Sequence, residues 1–204
     1  RHTRLTKVTG VQTCALPLFG IFGAIYFAII FAIAMLGMIP IFLPLLSVFV
    51  PILGGIPFML FLTKVKKPGM IFIMAMIMGI LMLLTGMGPW PLLTCAVAGG
   101  FAELSLKSGK YKSTRKAILS YGLFSMWIFG NYLPLFTDYE GYFAQRADYG
   151  QAYIDAVSKL MPVRMAPVLL AACFVCGILG GLLGRALLTK RSEERRVGKE
   201  CRSR

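Results

Sequence analysis

The chain has 204 residues, a formal net charge of +14 and 57% hydrophobic residues, with a mean hydropathy of +0.75. That apolar share exceeds the roughly 45–50% of an ordinary soluble domain and excludes one. The longest stretch between apolar runs, residues 137–164, is too short for a second domain, so the composition points to a single helical membrane domain.

The two ends carry much of the charge. Residues 8–17, VTGVQTCALP, resemble the translation of a short-read sequencing adapter, and residues 191–204, RSEERRVGKECRSR, resemble that of its partner. The adapter sequence AGATCGGAAGAGCGT reads in frame as Arg-Ser-Glu-Glu-Arg. Two matches flanking one insert are far more specific than either alone. Residues 1–17 and 191–204 are therefore set aside as foreign segments, expected to be disordered, and 18–190 is read as the membrane domain. This insert holds 13 basic and 5 acidic residues, a net +8. His2, Cys14 and Cys201 leave with the ends. No histidine remains, and Cys95, Cys173 and Cys176 lie in apolar runs, so no metal, cofactor or disulfide framework is expected.

Six apolar runs follow in chain order, at about 18–38, 41–62, 70–84, 92–106, 117–136 and 165–188. Most approach the roughly 20 residues that cross a bilayer of about 30 Å. The gaps alternate. Those after the second and fourth runs hold eight Lys and Arg, whereas 38–40 and 85–91 hold none. The expected fold is all-α and polytopic, with six transmembrane helices. By the positive-inside rule both termini and the basic loops are cytoplasmic. Within the insert ten basic residues fall on the inside and three outside (Arg146, Lys159 and Arg164). The basic signal thus reports orientation, and no nucleic-acid partner is expected.

The first run carries Gly20, Ala24, Ala28 and Ala32 at four-residue spacing, a stripe of small side chains along one helix face. Such a stripe lets another helix approach closely in lipid, either within the chain or from a partner. The second run is interrupted by Pro44, Pro51, Gly54, Gly55 and Pro57 and is expected to face protein, where neighbours satisfy freed carbonyls. The third is methionine-rich, which suits packing and lipid contact or an adaptable binding face. Glu103, at the inner end of the fourth run, precedes Lys107 by four residues, the favourable order for a helical ion pair and an interfacial anchor. A contact with a cytoplasmic partner is the alternative. The cluster from Lys107 to Lys116 suits the positive-inside rule and anionic lipid. The last run has a second small stripe, Ala172, Cys176, Gly180 and Gly184, and a Cys173-x-x-Cys176 spacing that in this setting reads as small buried thiols rather than a redox pair.

Candidates for holding a small solute lie toward the outer face: Thr85 and Trp90 at the third turn, Trp127, Asn131 and Tyr132 in the fifth run, and Asp138, Tyr139, Glu140 and Tyr142 in the last outer loop. Trp and Tyr at this depth also serve as belt residues. Asn131 stands out, because an amide in an apolar span is costly unless paired and tends to face the protein interior. No hydrolase, zinc-protease or phosphate-loop motif is present, and no acid lies deep in a span to relay protons. The chain is not expected to be an enzyme. No internal repeat is evident, which weighs against a standalone duplicated transporter.

Residues 20–190 resemble the substrate-binding S subunits of energy-coupling factor transporters, and more narrowly the Trep-Strep group. The resemblance rests on FGAIYFAIIFA, VPILGGIPFMLFLTKVKKPG, AELSLKSGKYKSTRKAILSYGLFSMW and the glycine-rich last run closing with GRALLTK. It implies a bacterial plasma-membrane subunit that binds a micronutrient such as a vitamin from outside. It further implies docking on a coupling transmembrane subunit driven by two ATP-binding subunits. In that family an alanine face on the first helix contacts the coupling subunit, which carries over to Ala24, Ala28 and Ala32. Two rival readings stand beside it: a solitary small-solute transporter or channel, and a membrane scaffold that binds no solute.

Overall fold

The computed structural model describes residues 20–64, 68–111, 113–144, 146 and 149–202, with side chains described as far as Lys190. Each apolar run becomes a helix. α1 is Gly20–Met38, its last turn, Met35–Met38, tightened to 3-10 geometry. α2 is Phe42–Lys64, α3 Met70–Leu84 and α4 Trp90–Ser108. α5, Thr114–Ser125, continues as a 3-10 segment, Met126–Asn131, and then as the short α6, Leu133–Thr137. The long loop that follows folds into α7, Tyr139–Ala144, and α8, Gln151–Leu160, before α9, Ala166–Arg202.

Among the described residues three helical stretches suffice by length and composition to cross a membrane: Gly20–Met38, Phe42–Lys64 and Val163–Lys190. Met70–Leu84 is apolar but has only 15 residues. α4 carries Glu103 and Lys107 in its last turns, and the fifth run is broken between α and 3-10 geometry, so neither passes on composition alone. The α9 backbone is helical to Arg202. The Glu, Arg and Lys of that tail are good helix formers. Residues 1–17 lie outside the described residues.

The long helices close into a ring in which α2 packs on α9, α9 on α5, α5 on α4 and α4 on α3. α1 completes it, with Phe22 edge-on to Phe61 of α2 and Gly23 beside Ile77 of α3. Large apolar side chains face outward on each wall, for example Leu93, Val97, Phe101 and Leu104 on α4. Such a contiguous apolar exterior suits lipid, not water. α2 is the most enclosed of the three long apolar helices, and its Pro51, Gly54, Gly55 and Pro57 are buried as expected.

Burial of hydrocarbon gives helices in lipid no reason to associate, so close backbone packing and interhelical hydrogen bonds must hold the ring. Both are present. A Cβ on Gly55 would strike the Gly180 backbone, one on Gly180 would strike the Pro51 carbonyl, and one on Gly184 would meet the Gly55 carbonyl. The small stripe of α9 is therefore used inside the chain. α5 ties three neighbours: Ser120 Oγ donates to the Ala102 carbonyl (2.8 Å), Tyr121 Oη to that of Pro51 (2.6 Å) and Ser125 Oγ to that of Cys173 (2.8 Å). Phe58 packs its ring against Tyr121 at 4.7 Å and Phe124 at 4.8 Å, filling the middle. Cys173 and Cys176 are free thiols, the first buried.

Glu103 does something other than pair along its own helix. Its carboxylate accepts from the backbone N–H groups of Gly69 (2.7 Å) and Ile71 (3.1 Å) and from Tyr111 Oη (2.5 Å). α3 opens on Gly69, at φ 84° and without a side-chain cap of its own. A carboxylate from α4 thus satisfies its orphan donors and complements the helix dipole. That partnership outcompetes Lys107, which would offer only an exposed ion pair. Partial burial and then the neighbouring carboxylate push the Tyr111 hydroxyl up to about 12, so it remains a donor at any physiological pH.

Two outcomes are expected. Gly180→Leu should destabilise the bundle by at least the roughly 1–3 kcal/mol typical of overpacking, seen as a lower thermal midpoint in detergent, since the colliding atoms are backbone and cannot yield. Glu103→Gln should cost about 1 kcal/mol by weakening the α3 cap, whereas Lys107→Gln should leave the midpoint unchanged. Equal effects of the two would show that the cap is not what Glu103 provides.

Candidate functional site

A cavity of about 280 Å³ opens between the helices at one end of the ring. The opposite end gathers the basic residues: Lys64 ends α2, Lys107 ends α4, Arg115 and Lys116 begin α5, and Lys190 lies far along α9. The cavity is walled by the last turns of α1 (Ala34, Met35, Gly37), the first of α2 (Leu43, Leu46) and the end of α3 (Met82, Thr85).

Its polar groups come from the break in the fifth run. With three residues per turn, the 3-10 segment puts residues i and i+3 in one line, so Ile128 and Asn131 both face the cavity. The α4 helix fixes this segment from outside. Thr94 Oγ1 donates to the Trp127 carbonyl at 3.0 Å, and Gly130 sits so close to Thr94 and Pro91 that a Cβ would not fit. Asn131 Nδ2 donates to the Ile128 carbonyl at 3.2 Å. This contact sets the amide orientation, because the flipped form would oppose two oxygens.

The loop between α6 and α9 roofs the cavity. Tyr153 Oη on α8 donates to the Gly37 carbonyl at 2.6 Å, and Tyr132 Oη to that of Leu43 at 3.0 Å. Arg146 reaches across to the α3–α4 turn. Its Nη2 donates to the Gly86 carbonyl at 3.1 Å and approaches Met87 Sδ at 3.5 Å, its Nη1 donates to the Tyr142 carbonyl at 3.1 Å, and its guanidinium lies 4.0 Å from the Tyr142 ring centroid. Tyr149 and Tyr153 stack at 4.5 Å beside it.

Two lining residues keep unused hydrogen-bonding atoms. Trp127 is 1% exposed, and its Nε1 has no partner; neither has Asn131 Oδ1. The Tyr26 hydroxyl lies toward the Trp127 indole and the Tyr121 hydroxyl without closing a hydrogen bond to either. An unmade buried hydrogen bond costs about 1–3 kcal/mol, so the acceptor that Asn131, a lining residue, leaves open is a cost that a ligand can offset. Among the described residues Arg146 is the charged group on the lining.

The structure thus brings Trp127, Asn131 and Tyr132 together, with Thr85 and Tyr142. It does not bring Trp90, Tyr139 or Glu140 to them. Trp90 opens α4 on the outer surface, where it edges an apolar groove with Leu93, Val97 and Phe101. The proline turn that starts α4 points it away from the bundle axis. Tyr139 and Glu140 border a shallow hollow on the far side of α7, and Tyr139 Oη spends its proton on the Ile154 carbonyl (2.6 Å). Residues the sequence reading did not single out are Arg146, Tyr149, Tyr153 and the end of α1. For Arg146 the signal was present, a basic residue amid tyrosines on the basic-poor side.

The stripe on α1 behaves unlike that on α9. Gly20, Ala24, Ala28 and Ala32 are all exposed, while Tyr26 and Ile30 on the other face are buried. Large side chains flank the bare strip, among them Ile21, Ile25 and Phe31.

A helical ring with an apolar exterior and a partly polar cavity at one end is the architecture of an integral membrane protein built around a small enclosed space. The chain belongs to the Trep_Strep family of hypothetical bacterial integral membrane proteins, whose family model matches residues 16–193. No curated protein and no solved structure matches it.

Asn131→Leu is expected to change stability by less than about 1 kcal/mol, because it removes an unpaired acceptor along with one weak hydrogen bond. Solute retention in the purified protein should nevertheless fall. A large drop in thermal midpoint with retention unchanged would assign the amide a purely structural role.

Proposed function

We propose that this protein is the solute-specificity subunit of an importer: it takes a small solute into the cavity beneath the outer loop and relies on partner subunits for energy. The observation that carries this reading is the cavity itself, lined by Asn131 with its Oδ1 left open and roofed by side chains from a different part of the chain. Its volume suits a compound of one or two rings. In this reading six helices span the bacterial plasma membrane, both termini and the basic end face the cytoplasm, and the cavity opens outward.

The sequence offers no nucleotide-binding motif, and among the described residues no acid is buried to couple transport to protons, so in this reading energy comes from partners. We assign docking on a coupling membrane subunit, with two ATP-binding subunits behind it, to the exposed strip Gly20, Ala24, Ala28 and Ala32. Two facts support that assignment: α9 spends its own small stripe against α2, and α1 leaves its stripe bare. Lipid can cover a bare strip, but small side chains gain most where another helix comes close.

Ala28→Trp should abolish co-purification with a coupling subunit while thermal midpoint and solute retention stay as in the parent chain. Native mass spectrometry of the purified chain should show a retained small molecule, lost on Asn131→Leu. Uptake by the chain alone in proteoliposomes, without an ATPase, would instead establish a solitary transporter. No retained or stabilising solute at all would favour the scaffold.

A further inference from the structure

Resting on the solute-binding reading, the chemistry of the lining narrows the class of solute. The walls are flat: Phe31, Trp127, Tyr132, Tyr142, Tyr149 and Tyr153 border one space. Flat aromatic walls favour a planar guest, which they grip by offset or edge-on ring contacts. The polar groups define the rest. Asn131 Oδ1 needs a donor.

Charge sets the sign. Among the described residues the partners of Arg146 are two backbone carbonyls, a thioether and the face of Tyr142. These contacts use only some of the donors of a guanidinium and none neutralises it. An anion placed beside its spare donors gains a charge-assisted hydrogen bond, stronger than a neutral one. A cationic solute meets the reverse. Aromatic boxes do bind cations, but here the arginine already occupies the Tyr142 face, and a second cation would meet its charge.

We propose that the cavity takes a planar aromatic or heteroaromatic monocarboxylate, with the carboxylate on Arg146 and a ring N–H or hydroxyl on Asn131 Oδ1. Arg146 is then both the latch between the outer loop and the Gly86 turn and the group that reads the charge of the solute.

The test uses matched triads that share a ring and differ in charge: benzoate, benzamide and benzylamine, and indole-3-acetate, indole-3-acetamide and tryptamine. Each is titrated calorimetrically into the full chain in lipid nanodiscs, with the thermal midpoint as a second readout. In at least one triad the carboxylate should bind tenfold or more tightly than the amide, and the amine should show no binding. Arg146→Gln should bring the carboxylate-to-amide ratio to about one, and Arg146→Lys should restore part of it. Loss of a latch alone would weaken all members together and leave the ratio unchanged, so an unchanged ratio in Arg146→Gln overturns the proposal. Amine binding equal to or tighter than carboxylate binding overturns it too, as does failure of every probe to bind. The broader reading is judged apart: a non-acidic molecule retained in native mass spectrometry would sink the carboxylate and leave solute binding standing.

Discussion

The contact of α2 with α9 is the constraint on which the rest of the structure depends. In lipid, apolar side chains gain nothing by leaving the solvent, so the bundle needs places where backbones touch. Gly55, Gly180 and Gly184 provide one. With α9 drawn against α2, α5 lies within reach of both, and Tyr121 and Ser125 bond to carbonyls of Pro51 and Cys173. These bonds fix the depth at which α5 gives way to 3-10 geometry. That depth in turn puts Trp127 and Asn131 at the floor of the cavity instead of in the lipid.

The two ends of the ring solve different problems. At the basic end, an acid from one helix completes the start of another, and Glu103 together with Tyr111 knits α3, α4 and the following turn into a fixed edge. At the cavity end, single tyrosine and arginine side chains cross between elements far apart in sequence, each resting on a backbone carbonyl. Carbonyls accept from side chains without demanding a particular residue beneath them. That end is therefore held by a few breakable bonds, whereas the other is held by a charged cap.

Much of the architecture was legible because lipid imposes length and apolarity on any helix that meets it. All six apolar runs match helices to within a few residues, and the buried proline-rich α2 followed from the cost of unpaired carbonyls. The spacing of Gly20, Ala24, Ala28 and Ala32 identified a stripe, and the burial of Tyr26 and Ile30 on the opposite face, which spacing alone left open, shows which side turns inward. The 3-10 break at Met126–Asn131 was not legible, since its cause is the fit of Gly130 against Thr94, a contact between helices. Glu103 was misread because local spacing to Lys107 is visible in the sequence and a partner 34 residues away is not. Asn131 could be singled out by the cost of its burial. Trp90 and Tyr139 could not be sorted from Trp127 and Tyr132 in the same way, because an interfacial aromatic looks alike whether it turns toward lipid or toward a cavity.

α1 presents Ala34 to the cavity and Ala28 with Ala32 to the outside, two surfaces on one rod barely two turns apart. A rod of that length transmits displacement without absorbing it. Whatever free energy a guest in the cavity spends on moving α1 is therefore felt at its bare face, and by thermodynamic reciprocity whatever covers that face alters the affinity for the guest by the same factor. The first helix is in this sense a lever whose two arms are set by the spacing of its alanines.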